Sequence, residues 1–120
     1  MKLQVHWNGL IATPTLREHL ERRLTVALGR FGEEVGHVWA RLADLNGPKG
    51  GIDKLVSLRV RGRRLKTLMV TDSDSNLCAA IDRASDRIGR AIARALDKSH
   101  GHNRQHQQLL PERARTPRRR

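Results

Sequence analysis

Arg83, Arg87, Arg90 and Arg94 recur at i, i+4, i+7 and i+11. At about 100° per residue they line one flank of a helix. A row of guanidinium groups is suited to phosphate. Each presents a planar fork of donors that matches two phosphate oxygens, and each stays charged at any physiological pH. Lys98 sits close to the end of the row, while Asp82, Asp86 and Asp97 project onto the opposite flank. An earlier segment sorts its charges the same way. Glu18 and Glu21 fall on one flank, and His19, Arg22, Arg23 and Arg30 on the other. Two readings fit this pattern: a solvated helix laced by i,i+4 pairs, or a face that binds phosphates.

Other side chains that can do chemistry lack the company they need. His100, His102 and His106 have no acid or cysteine at ligand spacing, so a solvated polar segment is expected rather than a metal site. Cys78, the only cysteine, lies in the first turn of the long helix with no basic residue placed to activate it. Asp72 and Asp74 fall where the cap of that helix is expected, and capping is their expected role. The Asn46-Gly47-Pro48-Lys49-Gly50-Gly51 segment is a loop, but it opens no helix and lacks the spacing of a nucleotide-binding glycine loop. Lys49 and Lys54 around it can either reach a phosphate or stand in solvent. No enzyme, cofactor, metal or small-molecule substrate is expected.

Composition narrows the partner. The 120 residues contain 24 Lys and Arg against 12 Asp and Glu, a formal charge of +12. Residues 1–98 carry 18 basic and 11 acidic side chains, so the excess belongs to the body of the chain as well as to its end. Such a body implies a polyanion, nucleic acid first and an anionic membrane second. The membrane reading lacks a basic helix with bulky apolar or Trp residues on its other face. No apolar run approaches the length of a bilayer span, and the N-terminus lacks the apolar core of a signal peptide, so a cytoplasmic location is expected. Trp7, Phe31 and Trp39 are the only aromatics besides histidine, too few for a base-stacking platform. Binding should therefore use phosphates and shape.

The elements that would position these residues follow from periodicity. Lys2 to Trp7 alternates as a strand with Leu3, Val5 and Trp7 inward. Thr13-Pro14 starts a helix that runs to about Arg30 or Phe31, with Leu16, Leu20, Leu24, Ala27 and Leu28 on its apolar side and Gly32 as its stop. Val35 to Leu45 forms a second strand with Val38, Ala40 and Leu42 inward and His37, Trp39 and Arg41 outward. Val56, Leu58 and Val60 mark a third. Leu65 to Thr71 forms a fourth with Leu68 and Val70 inward, leaving Leu65 and Met69 on the other face. Asn76 to Lys98 is the long helix, with Leu77, Ala80, Ile81, Ala84, Ile88, Ala91, Ile92, Ala95 and Leu96 in one stripe. The expected class is α+β, in the order β-α-β-β-β-α. A four-stranded mixed sheet would have two helices packed on one face. Residues 1–98 form the domain, and 99–120 a basic tail too poor in apolar residues to fold.

The order of elements resembles a known family. So do the ITPTLREHLERRL-like entry at 11–24, the NGPKGGIDK loop at 46–54 and the SNLCAAIDRASDRIGRAI segment at 75–92. It is that of the ribosome hibernation-promoting factors, also called ribosome-associated inhibitor, protein Y or sigma-54 modulation protein. The similarity covers about residues 1–98. It implies a non-enzymatic, cytoplasmic protein that binds the small ribosomal subunit during stress or stationary phase. Such a protein occupies the channel of messenger and transfer RNA and contacts ribosomal RNA with basic residues of both helices, and it is monomeric off the ribosome. Carried over by position, the RNA-binding face includes Arg17, Arg23, Arg87, Arg90 and Arg94. Helical projection adds Arg22, Arg30 and Arg83, and Lys49, Lys54 and Lys98 complete the candidate set. Longer members carry a second domain that dimerises ribosomes, for which residues 99–120 are too few. Two other readings stay open: a module for double-stranded RNA, and a modulator of a transcription factor.

Overall fold

The computed structural model describes residues 1–45 and 53–109, with side chains up to Lys98. Strand β1 spans Lys2–Asn8, helix α1 Pro14–Leu28, β2 His37–Asp44, β3 Lys54–Gly62, β4 Leu65–Asp74 and helix α2 Leu77–Leu109. The sheet order is β1-β2-β3-β4. β1 and β2 are parallel, as the helix between them requires, and the remaining pairs are antiparallel. This is the α+β arrangement expected from the periodicities.

Both helices cover one face of the sheet. Leu20, Leu24 and Leu28 of α1 and Ile81, Ile88 and Ile92 of α2 are fully buried against Val38, Leu42, Val56, Leu58 and Val60. Each such side chain contributes about 1.5–3 kcal/mol through removal of apolar surface from water. Helix α1 starts where Thr13-Pro14 dictates. The Thr13 Oγ1 accepts a hydrogen bond from the Leu16 amide at 3.2 Å, and Pro14 occupies the first turn. Its α-helical part ends at Leu28, earlier than expected. A 3₁₀ segment then runs from Gly29 to Glu34, kinked within by Gly32 at φ 57°, and Val35 turns extended ahead of β2.

Three further features depart from the sequence-based expectation. Strand β4 runs on to Asp74, because its last residues pair with Leu55 and Lys54 of β3. Leu65 is buried rather than outward: the ladder slips between Val60 and Gly62, and the bulge turns Leu65 into the core while Met69 stays exposed. Helix α2 continues past Lys98 to Leu109, so the segment assigned to an unfolded tail begins as helix. Between Lys98 and Pro111 Gly101 is the strongest helix breaker, and one glycine does not stop the helix.

Candidate nucleic-acid interface

Helix α2 lies over β3 and β4 and beside α1. The helices meet closely at Gly89, where a Cβ would stand 3.1 Å from the Ala27 carbonyl oxygen. That small-on-small contact sets the distance between the two cationic flanks. Around it lies a groove of about 250 Å³ lined by Arg23, Val26, Ala27, Arg30, Asp86, Gly89 and Arg90. The fold thus brings Arg23 of α1 and Arg30 of the 3₁₀ segment that follows it onto the same surface as Arg90 of α2.

The arginine row of α2 divides in two. Arg83 is committed to the sheet edge. Its Nη2 donates to Asp72 at 3.1 Å, to Asp74 at 2.8 Å and to the Ser73 carbonyl at 3.0 Å. Arg87 follows it, donating to the Thr71 carbonyl at 3.0 Å and to Asp72 at 3.3 Å. Hydrogen bonds from Arg83 hold the Asp72 carboxyl below its usual range. The Asn76 amide, then Arg83, does the same for Asp74. Their guanidinium partner, Arg83, is held charged still more firmly than usual. Asp72 is therefore an ion-pair anchor between β4 and α2, not the helix cap. The cap is Asn76, whose Oδ1 accepts from the Ala79 amide at 3.2 Å. Asp74 turns the chain into it by accepting from the Asn76 amide at 2.8 Å.

Further along α2 the pairing thins out. Arg90 meets Asp86 one turn back, in an exposed i,i+4 pair of the kind that contributes only about 0.3–0.5 kcal/mol. Arg94 and Lys98 are exposed and have no carboxylate partner among the described residues. On α1, Arg22 likewise has none. Arg30 lies over the Phe31 ring at 4.7 Å, and Arg17 pairs with Glu21 at 3.1 Å. Arg23 Nε stands 3.2 Å from Asp82 Oδ1 without the alignment of a hydrogen bond; His19 Nε2 takes that oxygen at 2.8 Å. The acidic flank of α2 thus faces the basic flank of α1. Sorted charge here serves helix packing and leaves Arg22, Arg30, Arg94 and Lys98 available for an external anion.

One candidate falls away from this surface. Lys54 donates to the buried Asp53 at 2.9 Å and lies 3.5 Å from Asp44, and the Asp53 bond keeps its ammonium protonated above the ordinary range. It anchors the strand end instead of standing in solvent. Lys49 lies outside the described residues. Cys78 is half-buried and free. Among the described residues no cluster of three His, Cys, Asp or Glu could hold a metal ion, and no helix is long and apolar enough to cross a membrane.

The uncovered face of the sheet carries His37, Trp39 and Arg41, as their alternation in β2 predicts, but none of them is among the candidate binding residues. Its outward rows place Arg41 beside Ser57, and Trp39 beside Arg59. The Trp39 indole stacks on His37 with centroids 4.1 Å apart, and Arg59 lies over it at 4.4 Å. The available signal was the alternation in β2 and β3, which places Arg41, Arg59 and Arg61 outward.

Against known proteins, residues 3–100 match the family model described as sigma 54 modulation protein / S30EA ribosomal protein. The chain belongs to this family. Comparison with curated proteins returned no match. Among solved structures, the N-terminal domain of Protein Y from Thermus thermophilus is similar, with 25% identity and a TM-score of 0.65 over 78% of this chain and 98% of that one. A ribosomal subunit interface protein from Coxiella burnetii has the same fold at 16% identity, with a TM-score of 0.65 over 78% of this chain and 96% of that one. Family membership accords with the resemblance drawn from the sequence, and the matched range coincides with the described β-α-β-β-β-α body.

Proposed function

We propose that this protein associates with the ribosome as a translation inhibitor. It binds ribosomal RNA of the small subunit within the channel of messenger and transfer RNA, in the cytoplasm and under stress or in stationary phase. The observation that carries the reading is the α1–α2 groove. Arg23, Arg30 and Arg90 converge there, with Arg22 and Arg94 nearby in sequence and free of carboxylates among the described residues. Phosphate oxygens satisfy such a surface better than any ligand needing a deep apolar pocket. Family membership supplies the ribosome as the source of the phosphates. Binding by phosphate neutralisation releases counterions, so affinity should fall steeply with salt.

The test is sedimentation of the purified protein with isolated small and large subunits, with and without transfer RNA and a messenger. Salt-sensitive association with the small subunit that these RNAs displace supports the reading. Association that survives nuclease treatment would point instead to a protein partner, as for a modulator of a transcription factor. Equal affinity for a plain RNA duplex and for subunits would point to a general double-stranded-RNA module.

A further inference from the structure

The sheet face opposite the helices is cationic and, among the described residues, carries no acid. The three acidic residues of the strands, Asp44, Asp72 and Asp74, share inward rows with Leu42, Lys54 or Val56, and none points to the uncovered side. Outward stand Lys2, Arg41, Arg59 and Arg61, none with a carboxylate partner among the described residues. Arg41 and Arg59 are diagonal neighbours across β2 and β3, with side chains rooted about 7–8 Å apart. Like charges this close repel unless an anion lies between them. Trp39 holds Arg59 and Arg61 in place: His37 stacks on its ring, and the two guanidinium groups lie over it at 4.4 and 5.7 Å. The indole thus serves to hold guanidinium groups at the surface rather than to offer a bare ring to a base. A shallow cleft of about 680 Å³ runs past Gln4, Trp39, Arg41 and Arg59 to Met69.

We infer that this face is a second RNA-backbone surface, so that the domain is gripped by RNA on two opposite sides. RNA fits better than an acidic protein. The face offers guanidinium forks matched to phosphate, its shallow cleft mixes Leu3, Val5 and Met69 with Gln4, His6, Arg41 and Arg59 and so gives no wholly apolar seat for an anchoring side chain, and Trp39 is already covered. The existence of the surface stands on the sheet alone; its assignment to ribosomal RNA rests on the proposed function. On this reading Trp39 is a positioning residue, and Arg41 and Arg59 are phosphate ligands.

The experiment compares the full chain with R41Q/R59Q, W39L and the groove variant R30E/R90E/R94E. Binding to purified small subunits and to a 16-base-pair RNA duplex is measured over a salt series, and circular dichroism checks the fold. R41Q/R59Q should bind subunits at least about 10-fold more weakly, with a salt slope shallower by about 2, one lost phosphate contact per arginine. W39L keeps every charge and should lose less affinity, at an unchanged slope. Unchanged affinity and slope for R41Q/R59Q, with binding lost in the groove variant, would overturn this inference and leave the proposed function standing. If the full chain ignores subunits, the proposed function fails and the duplex decides. A weaker and shallower R41Q/R59Q there keeps the second surface, and an unchanged one removes it. Poly-glutamate that competes as well as the duplex would assign the face to acidic protein and also overturn it.

Discussion

Asp72 shows how one side chain can change the meaning of a motif. It accepts from Arg83 and Arg87 and so ties the sheet edge to α2. Its carboxyl is held below the unfolded value of about 3.9, so its contribution is complete above that pH and is lost as pH falls through the lower folded value. Urea unfolding of the protein should therefore show falling stability below about pH 4. Asp72→Asn should lower stability at neutral pH by about 1 kcal/mol and flatten the acid decline. An equally steep decline in the variant would remove Asp72 as its source. Projection alone had placed Arg83 and Arg87 in one row with Arg90 and Arg94. The split between clamps and available cations was not legible, because it depends on how far β4 runs, and that is set by pairing with β3.

At the scale of elements, what was legible was whatever repeats locally. The apolar stripe of α2 and the Thr13-Pro14 start of α1 are local signals, and both helices begin where those signals place them, though neither ends there. Leu65 was not legible, because a bulge between Val60 and Gly62 reverses its face and nothing in the β4 sequence announces it. The Gly89–Ala27 approach was equally hidden, since a glycine inside a helix says nothing about which neighbour comes close. It has a measurable consequence. Gly89→Leu should drive the helices apart, cost about 1–3 kcal/mol on thermal unfolding, and weaken RNA binding by separating Arg30 from Arg90. Thr13→Ala removes the bond to the Leu16 amide and should cost about 1 kcal/mol while leaving RNA affinity unchanged. Together the two variants separate loss of stability from loss of groove geometry, with chemical denaturation and a filter-binding assay as readouts.

On the scale of the whole molecule, the excess positive charge of the described residues is arranged by the fold rather than spread evenly. Acids are spent inside it: Asp72 and Asp74 on the α2 clamp, Asp82 on α1, and Asp53 on Lys54. Pairing within the fold therefore leaves two cationic faces, the helix groove and the open sheet. Membership in a family described as ribosomal supports the ribosome as the polyanion proposed for the groove. The most direct measurement is sedimentation of the Arg30→Glu, Arg90→Glu, Arg94→Glu triple variant with purified small ribosomal subunits across a salt series. Its secondary structure would be verified by circular dichroism. All three side chains are exposed, so the fold should persist. The account predicts binding weaker by about 100-fold or more and a shallower salt dependence. A folded triple variant that still sediments with small subunits as the unmodified protein does would contradict it.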